Sequence, residues 1–346
     1  NMKILLTGGA GFIGSHTAVA LIENGFEPII VDDFRNSEPF VIKNIEKIVG
    51  KKITSYSSNI GNKEEVKNIL QKENPIGVIH FAADKAVNES VVNPMKYYQN
   101  NVLNLINFLD LINKVKINSF VFSSSCSVYG VPDKIPVKET ASIKPALSPY
   151  GYTKQVGERI LNDVIKSLPD SSLTLLRYFN PIGAHPSGLI GELPLGVPSN
   201  LVPFITQTAI GKRKKLIVFG KDYDTKDGTC IRDYIHVVDL ANAHVASLKK
   251  SLKNKDSIKV FNVGTGKGAS VLDVLTAFEK VSKHELNYEF GPRRAGDVPK
   301  IYSDNTLIKH ELDWDAKFSL EDCLKHSWNW EKSLIKLKDK SEKKQD

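Results

Sequence analysis

The sequence predicts an α/β protein built on a doubly wound parallel sheet, followed by a smaller C-terminal α/β lobe. Three observations carry this expectation. Short runs of β-branched and aliphatic residues alternate with longer amphipathic stretches through the first 180 residues. A glycine-rich turn closes the first of those short runs, and after Asn180 the elements become shorter and more irregular. Continuous apolar strands separated by helices belong to a parallel sheet covered on both faces.

Taken in order, strands are expected over Lys3–Thr7, Pro28–Val31, Gly77–Phe81, Ser119–Ser124 and Leu173–Phe179. Between them, Phe12–Glu23, Lys63–Lys72, Asn101–Asn113 and Pro149–Lys166 carry apolar residues at helical spacing. From Pro181 to Pro203 glycine and proline are dense, which predicts a long loop. Shorter strands over Leu216–Phe219, Lys259–Val263 and Leu286–Phe290 then alternate with helices over Leu201–Ile210, Val237–Ser247, Val271–Val281 and Leu320–Glu331. The expected division is a first domain over 1–180, a lobe over 181–335 that can exchange segments with it, and a charged tail over 336–346.

Composition narrows the function classes. A chain of 346 residues can bury a large core, and 41% apolar with 25% charged residues is ordinary for a globular protein. No apolar run approaches the roughly 18 residues that span a bilayer, and Gly8 and Gly9 cut short the apolar start at Met2 to Thr7. The three cysteines, Cys126, Cys230 and Cys323, are scattered, which argues against a disulfide scaffold or a zinc site and for a reduced, cytoplasmic protein. The net charge of +8 invites a nucleic-acid partner. Much of the excess lies in Lys332–Lys344 and in Lys212-Arg213-Lys214-Lys215, read here as solvated surface. Neither nucleic acid nor membrane is expected as a partner, whereas positive charge suits dinucleotides and nucleotide sugars.

Gly8-Gly9-Ala10-Gly11-Phe12-Ile13-Gly14 closes the first strand and opens the first helix. Glycines at this spacing let the backbone turn tightly and approach a pyrophosphate at the positive end of the helix. Asp32, at the end of the second strand, would accept from ribose hydroxyls and repel a 2′-phosphate. A Rossmann-type domain holding NAD rather than NADP is expected, although Arg35 nearby could neutralise an added phosphate.

Tyr150 and Lys154 stand one helical turn apart in Ser148-Pro149-Tyr150-Gly151-Tyr152-Thr153-Lys154, so both share a helix face. An ammonium close to a phenol favours the phenolate, and such a tyrosine can exchange a proton with an alcohol. Alone, the pair is more often a solvated helix face. The serine cluster Ser123-Ser124-Ser125, ending the Ser119–Ser124 strand on the cofactor side of the sheet, strengthens the catalytic reading. The plain alternative is that these serines end a strand and cap the next element.

The motifs GGAGFIG, HFAADKAV, SSSCSVYG, SPYGYTK, RYFNPIGAHPSG, RDYIHVVDLA and RRAGD occur in this order. Together they resemble the extended short-chain dehydrogenase/reductase family that acts on nucleotide sugars, and within it the UDP-glucose 4-epimerases, over residues 2 to about 335. Asn180 to Gly188 is the most specific of the motifs. Related 4,6-dehydratases carry an Asp-Glu pair after the hydroxyl that stands at Ser125, where this chain has Cys126 and Ser127.

The resemblance implies reversible C4 epimerisation of UDP-galactose and UDP-glucose through a 4-keto sugar, as in galactose metabolism. It gives Tyr150, Lys154 and Ser125 the catalytic roles. Cofactor contacts fall on Gly8, Gly11, Phe12, Ile13, Gly14, Asp32, Asn36, Ser37, Asn59, Ile60, Phe81, Ala82, Lys85, Asn100, Ser123, Tyr150, Lys154 and Tyr178. At Asn59 the family commonly has an aspartate that meets the adenine amine, and the asparagine carbonyl is expected to accept that bond more weakly. Substrate contacts fall on Ser125, Tyr150, Asn180, Asn200, Leu201, Phe219, Arg232, Arg294, Asp297 and Ile301. The two arginines suit a diphosphate, Phe219 the uracil and Asp297 the ribose. Ile301 stands where a large aromatic excludes an N-acetyl group, so UDP-GlcNAc remains an alternative substrate. No metal is expected, and His80, His185 and His236 are read as structural. A homodimer through the Asn101–Asn113 and Pro149–Lys166 helices is expected from the family. The remaining rivals are another UDP-sugar epimerase, a true dehydrogenase and a non-catalytic NAD-binding regulator.

Overall fold

The computed structural model describes residues 2–342, with side chains as far as residue 336. In the first half, strands β1 (Met2–Thr7), β2 (Phe26–Asp32), β3 (Thr54–Ser57), β4 (Gly77–His80), β5 (Ser119–Ser125) and β6 (Ser172–Tyr178) alternate with helices. These helices are α1 (Phe12–Glu23), α2 (Phe40–Val49), α3 (Lys63–Glu73), the short α4 (Val87–Val92) and α5 (Pro94–Tyr97), α6 (Asn104–Ile112) and α7 (Pro149–Lys166). A π-helical turn over Tyr98–Leu103 joins α5 to α6. In the second half follow strands β7 (Asn180–Ile182), β8 (Leu216–Phe219), β9 (Ile231–Arg232), β10 (Tyr234–His236), β11 (Ile258–Val263), β12 (Ala269–Ser270), β13 (Tyr288–Gly291) and β14 (Lys300–Ile301). Their helices are α8 (Leu201–Ala209), α9 (Val237–Lys253), α10 (Val271–Ser282), α11 (Thr306–Leu312) and α12 (Leu320–Glu342).

A seven-stranded sheet in the order β11-β6-β5-β4-β1-β2-β3 forms the centre, and every pairing in it is parallel. The strand order reverses between β1 and β4, so the crevice for a ligand opens beyond Thr7 and His80. Both faces are covered. One side packs Ile4, Leu6 and Ile30 against α1, α2 and α9; the other packs Leu5, Ile29 and Phe120 against α3, α6 and α7. Helix α1 is buried over the whole run Gly14–Leu21, because it lies between the sheet and α9. That is why its sequence lacks a polar stripe.

The doubly wound sheet is as the sequence predicts, with three differences. Helix α2 and strand β3 were not expected, since β3 is half exposed and its Thr-Ser-Tyr-Ser run has no apolar signal. Strand β11 and helix α9 belong by sequence to the second half, yet they complete the central sheet and cover α1. The Gly/Pro-rich stretch begins with the short strand β7, which pairs with β10.

Small sheets β10-β7, β12-β9-β14 and β13-β8 make up the second lobe. Ile205, Val218, Phe278, Leu324 and Trp328 from α8, β8, α10 and α12 form its core. Helix α10 starts with a capping box between Ser270 and Asp273. Helix α12 carries the lysine-rich tail through Glu342, and residues 343–346 of that tail lie outside the described part. No helix among the described residues is long and apolar enough to cross a membrane.

Candidate active site

The glycine turn after β1 leaves no room for side chains. Gly8 has φ +68°, and a Cβ there would lie 2.8 Å from the Ala82 nitrogen. A Cβ on Gly14 would lie 2.4 Å from the Gly8 carbonyl oxygen. The turn therefore exposes backbone at the start of α1, as close approach of a diphosphate requires. Asp32 is buried, and burial raises its carboxyl above the usual range. Its Oδ1 accepts from Phe34 N at 2.9 Å and Ser37 Oγ at 3.0 Å, while Oδ2 accepts only from Ala10 N at 2.9 Å. A carboxylate offers about four acceptor positions, so Oδ2 keeps one for a ribose hydroxyl. Arg35 donates to Asp33 Oδ2 at 2.8 Å and lies 3.7 Å from Asp84. Three carboxylates thus outweigh one guanidinium at this rim, which disfavours a 2′-phosphate.

A cavity of about 460 Å³ runs from the turn to Tyr150 and Lys154, in the range of small-molecule sites. Every residue expected at the cofactor lines it except Ser123. The glycine cradle, the spare acceptor on Asp32 and this lining fit NAD. Two expectations need correction. Ser123 is 1% exposed, its hydroxyl has no partner, and its carbonyl instead holds Lys154 Nζ at 2.7 Å. The Asn59 carbonyl is already engaged, accepting from Gly61 N at 2.7 Å and Asn104 Nδ2 at 3.2 Å. Its amide donates to Asp33 Oδ2 at 2.7 Å. A neutral amide at this position can donate as well as accept, so it turns toward the neighbouring acid.

Helix α7 begins at Ser148, whose hydroxyl accepts from Gly151 N at 3.1 Å, with Pro149 in the first turn. This sets Tyr150 and Lys154 on the buried face against the end of β5. Lys154 Nζ lies 6.0 Å from the Tyr150 ring centre and 4.9 Å from that of Phe122. Burial pushes the Lys154 ammonium down to about 8, opposed by the Glu158 carboxylate one turn on. The Tyr150 phenol departs from expectation: burial and the neighbouring Tyr178 hold it above its ordinary value, with the Ser125 hydroxyl opposing them. Lys154 spends a hydrogen bond on Ser123 rather than on the phenol, so a dry pocket dominates. Ser125 Oγ also accepts from Ser127 N at 3.2 Å, so this serine caps the turn that follows its strand.

The remaining expected residues gather on the second lobe. Arg294 lies 5.1 Å over the Phe219 ring and donates to Asp297 Oδ2 at 3.0 Å. Arg232 Nη2 lies 3.5 Å from Asp297 Oδ1, and β9 pairs Arg232 with Ile301 of β14. Ile301 is buried with Val128, Tyr129, Val137 and Phe179. Asn180 begins β7, and its backbone N–H donates to the Asp233 carbonyl at 2.9 Å. Asn200 reaches the cavity and donates to Glu192 at 2.6 Å, whereas the Leu201 side chain packs into the second-lobe core.

A model of the GDP-mannose 4,6 dehydratase family matches residues 5–327. A UDP-glucose 4-epimerase of Bacillus subtilis is 47% identical over 334 residues, covering 96% of this chain and 98% of the relative. The chain belongs to the UDP-glucose 4-epimerase family. The epimerase of Dictyostelium discoideum is 45% identical over 329 residues, covering 95% of both chains. The crystal structure of the Bifidobacterium longum epimerase in complex with NAD+ and UDP superposes with a TM-score of 0.93 at 42% identity, covering 96% of this chain and 98% of that one.

Within this epimerase scaffold, Cys126 and Ser127 follow the strand-five hydroxyl, so the acid pair needed to eliminate water is missing. Burial pushes the Cys126 thiol up to about 12, which leaves it unable to substitute for an acid and base near neutrality. His80 stacks between Phe108 and Phe122, and His236 contacts His326 at 2.9 Å. Burial drives both imidazoles down to about 3. No cluster of three or more metal-ligating residues exists among the described residues. Sequence reasoning missed Asp33, Asp84 and Glu192, which join the cavity wall. Asp33 and Asp84 stood beside expected residues and were findable. Glu192 lies in the Gly/Pro-rich loop, where local pattern carries no signal.

Proposed function

We propose that this chain interconverts UDP-galactose and UDP-glucose by oxidising C4 of the sugar to a ketone and reducing it from the opposite face. The observation that carries the reading is the meeting of Tyr150 and Lys154 at the end of a cavity that begins at the glycine turn, with the Ser125 hydroxyl beside the phenol. When bound, oxidised NAD supplies a hydride acceptor and a positive charge. Tyr150 takes the proton from the C4 hydroxyl and returns it after the sugar has turned, and Ser125 bonds the same hydroxyl. Lys154 adds the second positive charge that a buried phenolate requires. Gly8, Gly14 and Asp32 hold the diphosphate and adenosine ribose. Arg232 and Arg294 bind the substrate diphosphate by exchanging Asp297 for phosphate oxygens. With no acid pair after Ser125 to eliminate water, the ketone can only be reduced again, so oxidation and reduction cancel.

The test is a coupled assay of UDP-galactose conversion by purified protein without added NAD. Steady formation of UDP-glucose with no net NADH is expected. Net NADH growth would make the protein a dehydrogenase, and no conversion despite bound NAD would favour the regulator. Assembly as a homodimer through α6 and α7 is supported by exposed Leu103, Ile106 and Tyr152, each 45–50% accessible. Sedimentation of the wild type and of Ile106→Glu tests it. Three free cysteines suit a reducing compartment such as the cytoplasm, which cell fractionation checks.

A further inference from the structure

Behind the proton-transfer pair lies a buried ion pair that the proposed cycle does not consume. Glu158, one turn beyond Lys154 on α7, accepts from Arg177 of β6 twice, Nε to Oε1 at 2.9 Å and Nη2 to Oε2 at 2.6 Å. Its Oε1 also accepts from Ser124 Oγ of β5 at 2.6 Å. The two charged side chains are only 8% and 10% exposed. Arg177 continues through Nη1 to the Tyr129 hydroxyl at 3.2 Å, and Tyr129 donates to Asn262 at 2.6 Å.

Three elements converge on this carboxylate, and each carries part of the candidate chemistry. Ser124 lies between Ser123, whose carbonyl holds Lys154, and Ser125. Arg177 precedes Tyr178, and the sheet register sets Ser124 opposite Arg177 and Ser125 opposite Tyr178. A buried ion pair adds little net stability, because desolvation offsets attraction. What this one adds is a fixed charge and a fixed strand end. Resting on the proposed function, we infer that Glu158 is a positioning residue for proton transfer. It ties the serine end of β5 to the first turns of α7 and keeps a negative charge behind the Lys154 ammonium.

The groups around Lys154 leave Glu158 as the charge that favours its protonated form. Tyr150 shares its helix, Phe122 and the Ser123 carbonyl face it from β5, and His80 on β4 is kept neutral by burial. Tyr178 of β6 is a buried phenol held above its ordinary value. Asp84, Lys85, Glu89 and Lys96 stand on the wall of the same cavity. Burial presses the ammonium down to about 8, and the Glu158 charge works against it.

The test replaces the pair by neutral groups, in Glu158→Gln/Arg177→Met and Glu158→Gln/Arg177→Gln, so that no buried charge is stranded. The alkaline limb of kcat should move down by about one pH unit or more, with KM for UDP-galactose and bound NAD unchanged. The same shift is read without turnover by titrating the Lys154 signal in lysine-labelled protein, assigned with Lys154→Arg. A Lys154 titration unmoved in a folded double variant overturns the inference. Failure of both variants to fold also overturns it, since the pair would then be a structural requirement. A shifted titration in protein that converts no UDP-sugar leaves the inference standing and removes the proposed function instead.

Discussion

The two groups of candidate binding residues, one lining the cavity and one on the second lobe, are built by different means. On the cofactor side the shape is made of backbone. Gly8 and Gly14 sit where a Cβ would meet main-chain atoms at 2.8 and 2.4 Å, and Asp32 is locked by Ala10, Phe34 and Ser37. On the second lobe the residues proposed for the substrate are side chains on short strands and loops outside that cavity lining, held by ion pairs such as Arg294 and Arg232 on Asp297. A retained ligand suits the first kind of surface, which exists before anything binds. An exchanging ligand suits the second, where the half-exposed Arg294 can swap Asp297 for another anion at small cost.

The comparison can be broken most severely at Gly14. Gly14→Ala should leave the protein without bound NAD and without turnover, because the new methyl group collides with the turn itself. Absorbance ratio and turnover of the purified variant check this. Next in size is Tyr150→Phe, expected to lower kcat by about 10²- to 10⁴-fold, the usual worth of a positioned proton donor and acceptor. Its NAD content should match the wild type, which separates chemistry from cofactor retention. Arg294→Met should raise KM for the UDP-sugar by about 10- to 100-fold with NAD content intact, as expected for losing a charged hydrogen bond. If NAD is lost with it, the two groups are not independent.

Smaller effects sharpen the picture. Lys154 is charged below a value of about 8 and neutral above it. Turnover should therefore fall as pH rises through that region, since the proton lost is the charge that supports the phenolate. A kcat profile flat across it would show that Lys154 is not the supporting cation. Ile301→Tyr should change UDP-galactose turnover least of all while suppressing any conversion of UDP-GlcNAc, measured side by side. Equal loss on both substrates would mean that Ile301 supports the Val128, Tyr129 and Phe179 cluster rather than gating sugar size.

Local pattern determined much of this protein. Alternating strand and helix runs, the glycine turn with Asp32, and Tyr150 with Lys154 one turn apart are readable because each depends on neighbours in sequence. Tertiary structure decided what depends on residues far apart. Strand β11 and helix α9 join the first half because the sheet had an open edge beside β6 and α1 an uncovered face. Asn59 donates to Asp33 because the two strand ends meet, and Glu158 finds Arg177 and Ser124 only across three packed elements. The Tyr150 phenol marks the limit most clearly. Spacing alone predicts a phenol lowered by Lys154, whereas burial, a property of the whole fold, holds it up. Charge at a distance follows from sequence, but the dielectric around it is set by everything packed nearby.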